Sequence, residues 1–364
     1  MPTSTLLDKV ILLPILGIIL TKTLFAALTG PFRGQHGAPT YTEHVGNSLL
    51  RNLVHTMRVP SIQWLMPSFL DTYKSWCSKN NLSPDIVDIP GTKPTVQGFW
   101  IGSKESAKYS MVYFHGGGFV FAGSAQHIAM LLNFVKWSEG RLAIFCVCYT
   151  LAPEGAYPVA LGQGVEALRY VLGLPGNEPS NTLIGGDSAG GNLALAVLSH
   201  VSGHPHPRAD AIKRLDISGS LKGALVIAPW TSSDSDRYSS LNRYAMRDML
   251  SSAPLQYWIG LYKGVGVNDD EYVCAALASA DWWKGVKCEH MLATAGEQEA
   301  LVDAISDWAR KYEQGAGKNK IWYVIGEKEI HDQPLKCMPE SKLIELGEKS
   351  QEGVIRLWIK QKLV

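Results

Sequence analysis

The chain has 364 residues, of which 46% are hydrophobic and 18% charged, and its formal net charge is +1. This composition is typical of a globular protein with one large domain and additions. No basic excess is present to neutralise phosphates, which argues against nucleic-acid binding. The six cysteines have neither the spacing of a metal site nor that of a disulfide framework, and nucleotide-binding glycine motifs are absent. We therefore expect no cofactor and no metal, and the composition leaves the oligomeric state open.

An apolar segment lies near the amino terminus. Residues 10–20 are apolar, and residues 24–28 resume the pattern after Thr21, Lys22 and Thr23, which gives nineteen residues in all. That length is close to what spans a bilayer core, but a lysine at its centre costs about 2 to 3 kcal/mol. We expect membrane association at the endoplasmic reticulum, by a single pass or an interfacial helix. A cleaved signal and a soluble cap helix are the alternatives.

Helix-like and strand-like patterns follow one another through the rest of the chain. Apolar residues recur with helical spacing between residues 40 and 85, and an aromatic-rich stretch over residues 238–262 suggests a second helical piece. Strands alternating with helices predict a mostly parallel sheet covered on both faces, with the functional site at its carboxyl edge. We expect strands near residues 95–101, 109–114, 142–149, 181–185, 222–228, 290–295 and 320–325.

The strand-like run at residues 109–114 ends in a glycine-rich loop, His115-Gly116-Gly117-Gly118. Three consecutive glycines would not be tolerated inside a strand or helix. Their N–H groups can point into a cavity and donate to the oxyanion of an acyl-transfer intermediate, together with the N–H of Ala189. The alternative is a flexible surface loop.

A second glycine motif occupies residues 186–190, which read Gly-Asp-Ser-Ala-Gly. A buried strand precedes it and a helix follows it. A sharp strand-to-helix turn holds its central serine in a strained backbone conformation and needs small residues on both sides. Ser188 is therefore the candidate nucleophile, although a glycine-rich turn can also arise by chance.

A third motif, Tyr-Thr-Leu-Ala-Pro-Glu at residues 149–154, is followed by Tyr-Pro at residues 157–158. In order and spacing, the three motifs resemble those of the hormone-sensitive-lipase branch of the α/β-hydrolases. The apolar amino terminus is similar to that of fungal membrane-anchored esterases related to steryl acetyl hydrolases. The resemblance implies an α/β-hydrolase fold with an amino-terminal helical cap. We expect an apolar segment over residues 1–30, the cap over 31–85 and the catalytic domain over 86–364.

A serine nucleophile needs a histidine base, and the chain order of this fold places both the acid and the base after the serine. Three of the five downstream histidines fall in or just after the nucleophile helix, and His290 opens an apolar run. His331 follows the last strand-like run, where a loop can reach the nucleophile. It is the candidate base. The five histidines are His200, His204, His206, His290 and His331.

The candidate acids lie after the strand-like run at residues 291–295. The resemblance implies an acid four positions before a second one that opens the next helix. Glu299 and Asp303 reproduce that spacing, which makes Glu299 the candidate triad acid. Asp303 and Glu297 remain alternatives.

These expectations describe a serine esterase acting on a small-molecule ester. The resemblance and the apolar amino terminus together suggest a short acyl group, such as acetyl, on a bulky apolar alcohol such as a sterol or terpenoid. A biosynthetic deacetylase, a lactone hydrolase and an acyl transferase are alternatives on the same fold. A different class is a ligand-binding receptor on an inactive hydrolase scaffold, as in the gibberellin receptors of this branch, which lack the histidine.

Overall fold

An eight-stranded sheet forms the centre of the protein, in the order β1-β2-β4-β3-β5-β6-β7-β8. The structure is a computed structural model that describes residues 10–34, 37–38, 40–208 and 211–364. β2 pairs antiparallel with β1 and β4, and the remaining neighbours are parallel. The strands are β1 Ile86–Asp88, β2 Gln97–Ile101, β3 Tyr109–Phe114, β4 Leu142–Val147, β5 Thr182–Asp187, β6 Gly223–Ile227, β7 Met291–Gly296 and β8 Ile321–Gly326.

Helices cover both faces of this sheet, which confirms the expected α/β architecture. β3, β4, β5, β6 and β7 are buried along their whole length, as is usual for parallel strands covered on both faces. The helices are α1 Leu12–Thr29, α2 Tyr41–Thr56, α3 Val59–Leu65, α4 Phe69–Lys79, α5 Ala125–Trp137, α6 Val159–Leu172, α7 Ser188–Val201, α8 Ser240–Arg243, α9 Ser252–Lys263, α10 Val302–Ala316, α11 Glu340–Leu346 and α12 Gln351–Leu363.

Two hydrophobic cores result, one on each face of the sheet. The larger core includes side chains from α6, α7 and α10, such as Leu168, Val197 and Trp308. The other includes side chains from α4, α5 and α12, such as Phe134 and Trp358. All seven expected strands are present. The eighth, β1, was missed because it has only three residues and none of them is fully buried, so it carries no clear hydrophobic pattern.

The helices before the sheet contact the loops at the carboxyl ends of the central strands. Gln63 on α3 donates from its side-chain amide to the carbonyls of Val120 and Ala152, both at 2.8 Å. Arg51 on α2 donates to the carbonyl of Asp248, at 3.0 Å, in the segment between α8 and α9. These contacts place α2 and α3, together with the 240–263 region, next to the edge of the sheet where a site is expected.

The apolar helix α1 packs against α2 and α3 through one side. Ile19 is its buried residue, and it contacts a small cluster that includes Met57 and Ile62. Large apolar side chains on its other sides are exposed, among them Leu24 and Leu28. In the described part of the chain, the segment over residues 12–32 is long and apolar enough to cross a membrane, a property that signal sequences and some core helices share. Residues 1–9 of the expected apolar segment lie outside the described residues.

Candidate active site

The turn between β5 and α7 holds Ser188 in a left-handed backbone conformation, with φ of 50°. A Cβ at Gly190 would overlap the backbone carbonyl of Phe114, and one at Gly186 would lie 2.7 Å from the same oxygen. Glycine is therefore required on both sides of the serine by the close approach of β3. Ser188 is the first residue of α7, so its Oγ lies at the carboxyl edge of the sheet.

His331 lies in the loop after β8, and its Nε2 is 2.8 Å from the Oγ of Ser188. Both residues are buried, with 2% and 6% of their surfaces exposed. This distance is within hydrogen-bond reach of a proton transfer from the hydroxyl to the imidazole. The other downstream histidines have different surroundings. His200, for example, accepts a hydrogen bond from the backbone of His206, and His204 stacks on Trp282.

Glu299 lies in the loop after β7 and faces the other ring nitrogen of His331. Its Oε1 is 3.3 Å from Nδ1, and its Oε2 accepts a hydrogen bond of 2.6 Å from the backbone N–H of Gly296. The side chain is completely buried. A serine, a histidine and a carboxylate are thus aligned in the order that nucleophilic catalysis requires.

The two alternative acids point elsewhere. Asp303 accepts hydrogen bonds from the backbone of Ser240 and from Arg243, at 2.9 and 2.8 Å. Glu297 is exposed and accepts from the backbone of Lys328 at 2.7 Å. Neither carboxylate has a hydrogen bond or ion pair with His331 among the described contacts.

The backbone N–H groups of the glycine loop point in two directions. The N–H of Gly116 donates to Oδ2 of Asp187 at 2.9 Å, so it is directed away from a bound substrate. Gly117, Gly118 and Ala189 form no backbone hydrogen bond from their N–H groups to another described residue. The expected oxyanion donors therefore separate into one N–H that anchors the loop and three that remain for an oxyanion.

Asp187 is the anchor of this loop, and sequence reasoning did not assign it a role. Its buried carboxylate accepts from Gly116, from the hydroxyl of Tyr113 at 2.8 Å and from Nε2 of His127 at 3.1 Å. Burial would raise the pKa of Asp187, but His127 and these hydrogen bonds outweigh it and lower the pKa. The ionised form is thus held in place beneath the glycine loop.

Two further carboxylates, also missed by sequence reasoning, surround the histidine. Asp248 is fully buried and accepts from the backbone N–H groups of Ala300 and His331, at 2.7 and 3.3 Å. It therefore joins the loop of the acid to the loop of the base. Oδ2 of Asp332 is 3.2 Å from Nε2 of His331, while its buried Oδ1 has no partner among the described residues.

These carboxylates determine the charge state of the site. Burial alone would lower the pKa of His331, but Asp332 and Glu299 raise it well above its ordinary value. Burial raises the pKa of Asp332 to about 6, although His331 opposes that shift, and burial likewise raises the pKa of Asp248 to about 6. Within the described residues, no group of three or more His, Cys, Asp or Glu side chains is arranged to hold a metal ion.

Comparison with known proteins agrees with this geometry. A family model described as the alpha/beta hydrolase fold matches residues 111–333. The chain belongs to this family. The match to this α/β-hydrolase family includes the glycine loop, Ser188, Glu299 and His331.

Individual proteins similar to this α/β-hydrolase match only part of the chain. Human "Arylacetamide deacetylase-like 2" is 36% identical over 104 residues, which is 27% of this chain and 25% of that protein. An "Acetyl-hydrolase" of Streptomyces hygroscopicus is 28% identical over 221 residues, 60% of this chain and 65% of that protein. The chain thus spans less than two thirds of both relatives. A crystal structure of carboxyl esterase 2 from Tuber melanosporum superposes with a TM-score of 0.62 at 21% identity, covering 78% of this chain and 88% of that one, and shows the shared fold.

Proposed function

We propose that this protein is a serine carboxylic-ester hydrolase. Ser188 attacks the ester carbonyl while Nε2 of His331 takes its proton, and Glu299 orients the imidazole and stabilises its charged form. The free N–H groups of Gly117, Gly118 and Ala189 donate to the oxyanion. His331 then protonates the leaving alcohol, and a water activated by the same histidine releases the acid from the acyl-enzyme.

The alignment of three side chains from three loops carries this proposal. Ser188, Glu299 and His331 are separated by 32 to 143 positions along the chain, yet their reacting atoms lie 2.8 and 3.3 Å apart. A purely structural cluster would have no reason to hold a serine in a left-handed conformation at its centre. The names of the relatives, a deacetylase-like protein and an acetyl-hydrolase, support ester or amide cleavage.

For the substrate, we propose a short acyl group, such as acetyl, on a bulky apolar alcohol such as a sterol or terpenoid. Trp258 packs closely against Gly118, since a Cβ at that glycine would lie 2.5 Å from the indole ring. An aromatic wall this close to an oxyanion donor limits the room for an acyl chain. The exposed apolar surface of α1 would bring the enzyme to alcohols that dissolve in a membrane.

The same surface is the basis for proposing membrane association, at the endoplasmic reticulum. The contacts of Ile19 with Met57 and Ile62 hold α1 against the cap helices, which favours a helix lying in the membrane interface over one that leaves the protein to span the bilayer. Transfer of the acyl group to an alcohol in place of water is the second candidate reaction, and it would use the same triad.

The first experiment is labelling of the purified full chain with a fluorophosphonate probe, in parallel with Ser188→Ala, His331→Ala and the double variant. We expect labelling and hydrolysis of p-nitrophenyl acetate to disappear in the first, and the double variant to be little worse than either single one, because triad members act as a unit. Ser199→Ala is the matched control, since Ser199 is a buried serine on the same helix that bonds to Trp282. The proposal is contradicted if Ser188→Ala is still labelled, or if the full chain with its own Ser188 is never labelled.

The second experiment addresses the substrate. p-Nitrophenyl esters of increasing acyl length should lose kcat/KM beyond the shortest members, and a sterol acetate should be cleaved in preference to the same sterol carrying a long acyl chain. Product analysis with and without an added alcohol separates hydrolysis from acyl transfer. A preference for long acyl chains would refute the acetyl assignment without touching the triad.

A further inference from the structure

A large cleft opens between α1, α2 and the segment before α9, apart from the triad. Its volume is about 900 Å³, within the range usual for small-molecule sites, and no residue of the triad or of the glycine loop lines it. On one side, Lys22 and Phe25 of α1 and Phe32 of the turn after it line the cleft, and α2 contributes Arg51 and His55 on the other.

The charges of the cleft all have one sign. Lys22, Arg33 and Arg51 line it together with His44 and His55, and no Asp or Glu is among its described lining residues. The whole chain, by contrast, has nearly equal numbers of acids and bases. A local excess of three cations in a protein of net charge +1 is therefore a feature of this cleft and not of the composition.

The histidines report the resulting potential. Burial lowers the pKa of His44, and the charges of Arg33 and Arg51 lower it further. Burial likewise lowers the pKa of His55, with further contributions from Arg51 and Lys22. The cations thus lower the pKa values of both histidines, which indicates a positive potential in the cleft of the kind that attracts anions.

Lys22 is the most informative of these residues. It is the only charged residue in α1, and it forms no ion pair with a described residue. Arg51, by comparison, donates to the carbonyls of Met246 and Asp248. Lys22 is exposed and lines the cleft beside the other cations, so an anionic ligand there gains its charge without displacing a partner among the described residues.

The rim of the cleft indicates what else that partner carries. Phe25 and Phe32 line the cleft and are also 68% and 88% exposed, so their rings offer apolar surface at its mouth. Leu24 and Leu28 extend the exposed apolar surface along the same helix. A ligand that fits both features has an anionic head for the cations and hydrocarbon chains for the rim.

We propose that this cleft is a binding site for the head group of an anionic phospholipid from the membrane surface. Cations contributed separately by α1, the turn after it and α2 suit a head group with a phosphate and a second anionic oxygen set, such as that of phosphatidylserine. The acyl chains lie along Phe25 and Phe32 and continue into the bilayer. The site rests on the membrane association proposed above, but it can be tested with no membrane present.

The test is calorimetric titration of the full chain with monomeric dihexanoyl phosphatidylserine, and in parallel with inorganic phosphate and with decanoate. We expect saturable binding of one lipid per chain, weakened about fivefold in Lys22→Gln and restored in Lys22→Arg. Lys318→Gln removes an exposed lysine outside the cleft and should leave binding unchanged. Flotation with vesicles of phosphatidylcholine alone, or mixed with phosphatidylserine, should show the same order of variants.

Several outcomes would overturn the site. Equal binding of decanoate would identify a fatty carboxylate as the ligand, and equal binding of phosphate would leave the apolar rim without a role. Equal weakening by Lys22→Gln and Lys318→Gln would reduce the effect to general surface charge. Competitive inhibition of p-nitrophenyl acetate hydrolysis by the lipid, to the same extent in Lys22→Gln, would place it in the catalytic site. Dihexanoyl phosphatidylserine is itself a carboxylic ester, so the titration is repeated in Ser188→Ala, in which the proposed hydrolysis is abolished. Because binding is then measured without turnover, failure of the esterase proposal would not affect this result.

Discussion

Replacing Glu299 by glutamine tests the assignment of the triad acid with little change of volume. The carboxylate contacts two donors, the N–H of Gly296 at 2.6 Å and Nδ1 of His331 at 3.3 Å. An amide has only one oxygen. If that oxygen keeps the shorter bond to Gly296, the NH2 group faces Nδ1, which must then be the acceptor, and the ring proton moves to Nε2.

In that tautomer His331 cannot accept the proton of Ser188. We expect kcat to fall by about 10³ to 10⁴, equivalent to about 4 to 5.5 kcal/mol of transition-state stabilisation, because the wrong tautomer in a Ser-His-acid triad has an effect of this size. KM should change little, since Glu299 has no contact with the substrate in the proposed mechanism. The fold should survive, because the substitution is nearly isosteric.

The assay is the pair of kcat and KM for p-nitrophenyl acetate, together with the rate of fluorophosphonate labelling. Asp303→Asn and Glu297→Gln are matched controls, because their carboxylates bind Ser240, Arg243 and the backbone of Lys328 and not the histidine. The reasoning is refuted if Asp303→Asn is crippled while Glu299→Gln remains close to the parent protein.

Three more predictions concern the surroundings of the triad and the amino-terminal helix. The value of kcat/KM should rise with pH through the raised pKa of His331, because the base must be neutral to accept a proton. Asp332→Asn should move the midpoint of this rise to lower pH, because it removes a negative charge that raises that pKa. A midpoint that stays in place would mean that Asp332 does not act on the histidine. Asp248→Ala should lower both Tm and kcat with KM nearly unchanged, since each buried N–H left unsatisfied costs about 1 to 3 kcal/mol. Asp248→Asn should recover part of the lost Tm and part of the lost kcat. An effect on Tm alone would make Asp248 a purely structural residue. Removal of residues 1–33 should release the protein in alkaline carbonate extraction and preserve the rate on p-nitrophenyl acetate, whereas a truncated protein that cannot fold would make α1 an essential cap helix.

The parts of the site that sequence could predict are those set by local sterics or by chain order. Ser188 follows from its glycine neighbours, which the close approach of Phe114 makes necessary. His331 follows from its place after the last strand, and Glu299 from its spacing to Asp303. In each case, one or two nearby residues or the order of elements along the chain is enough to assign the catalytic residue.

The remaining parts depend on contacts that no local pattern records. Asp248 is 52 positions from Ala300 and 83 from His331, and the aromatic-rich stretch around it gives no sign of either contact. The three loop glycines look equivalent in sequence, and only the position of Asp187 shows that Gly116 is directed away from the others. Such long-range hydrogen bonds select one carboxylate or one N–H from several of the same kind, and that selection is made by tertiary packing.

The hydrogen bonds of the cap indicate where the catalytic unit begins. Asn47 and Arg51 on α2 donate to the carbonyls of Arg247 and Asp248, and the carboxylate of Asp248 binds the loops of both the acid and the base. Independent domains are joined by segments that few contacts cross, whereas this boundary is crossed by hydrogen bonds to the segment whose Asp248 holds the triad loops. Among the described residues, the hydrogen bonds that connect α1 to later helices, such as that from Asn52 to Thr23, reach only α2. We infer that the chain can be shortened up to about residue 33, while a cut at residue 85 would remove hydrogen-bond partners of the segment that holds Glu299 and His331.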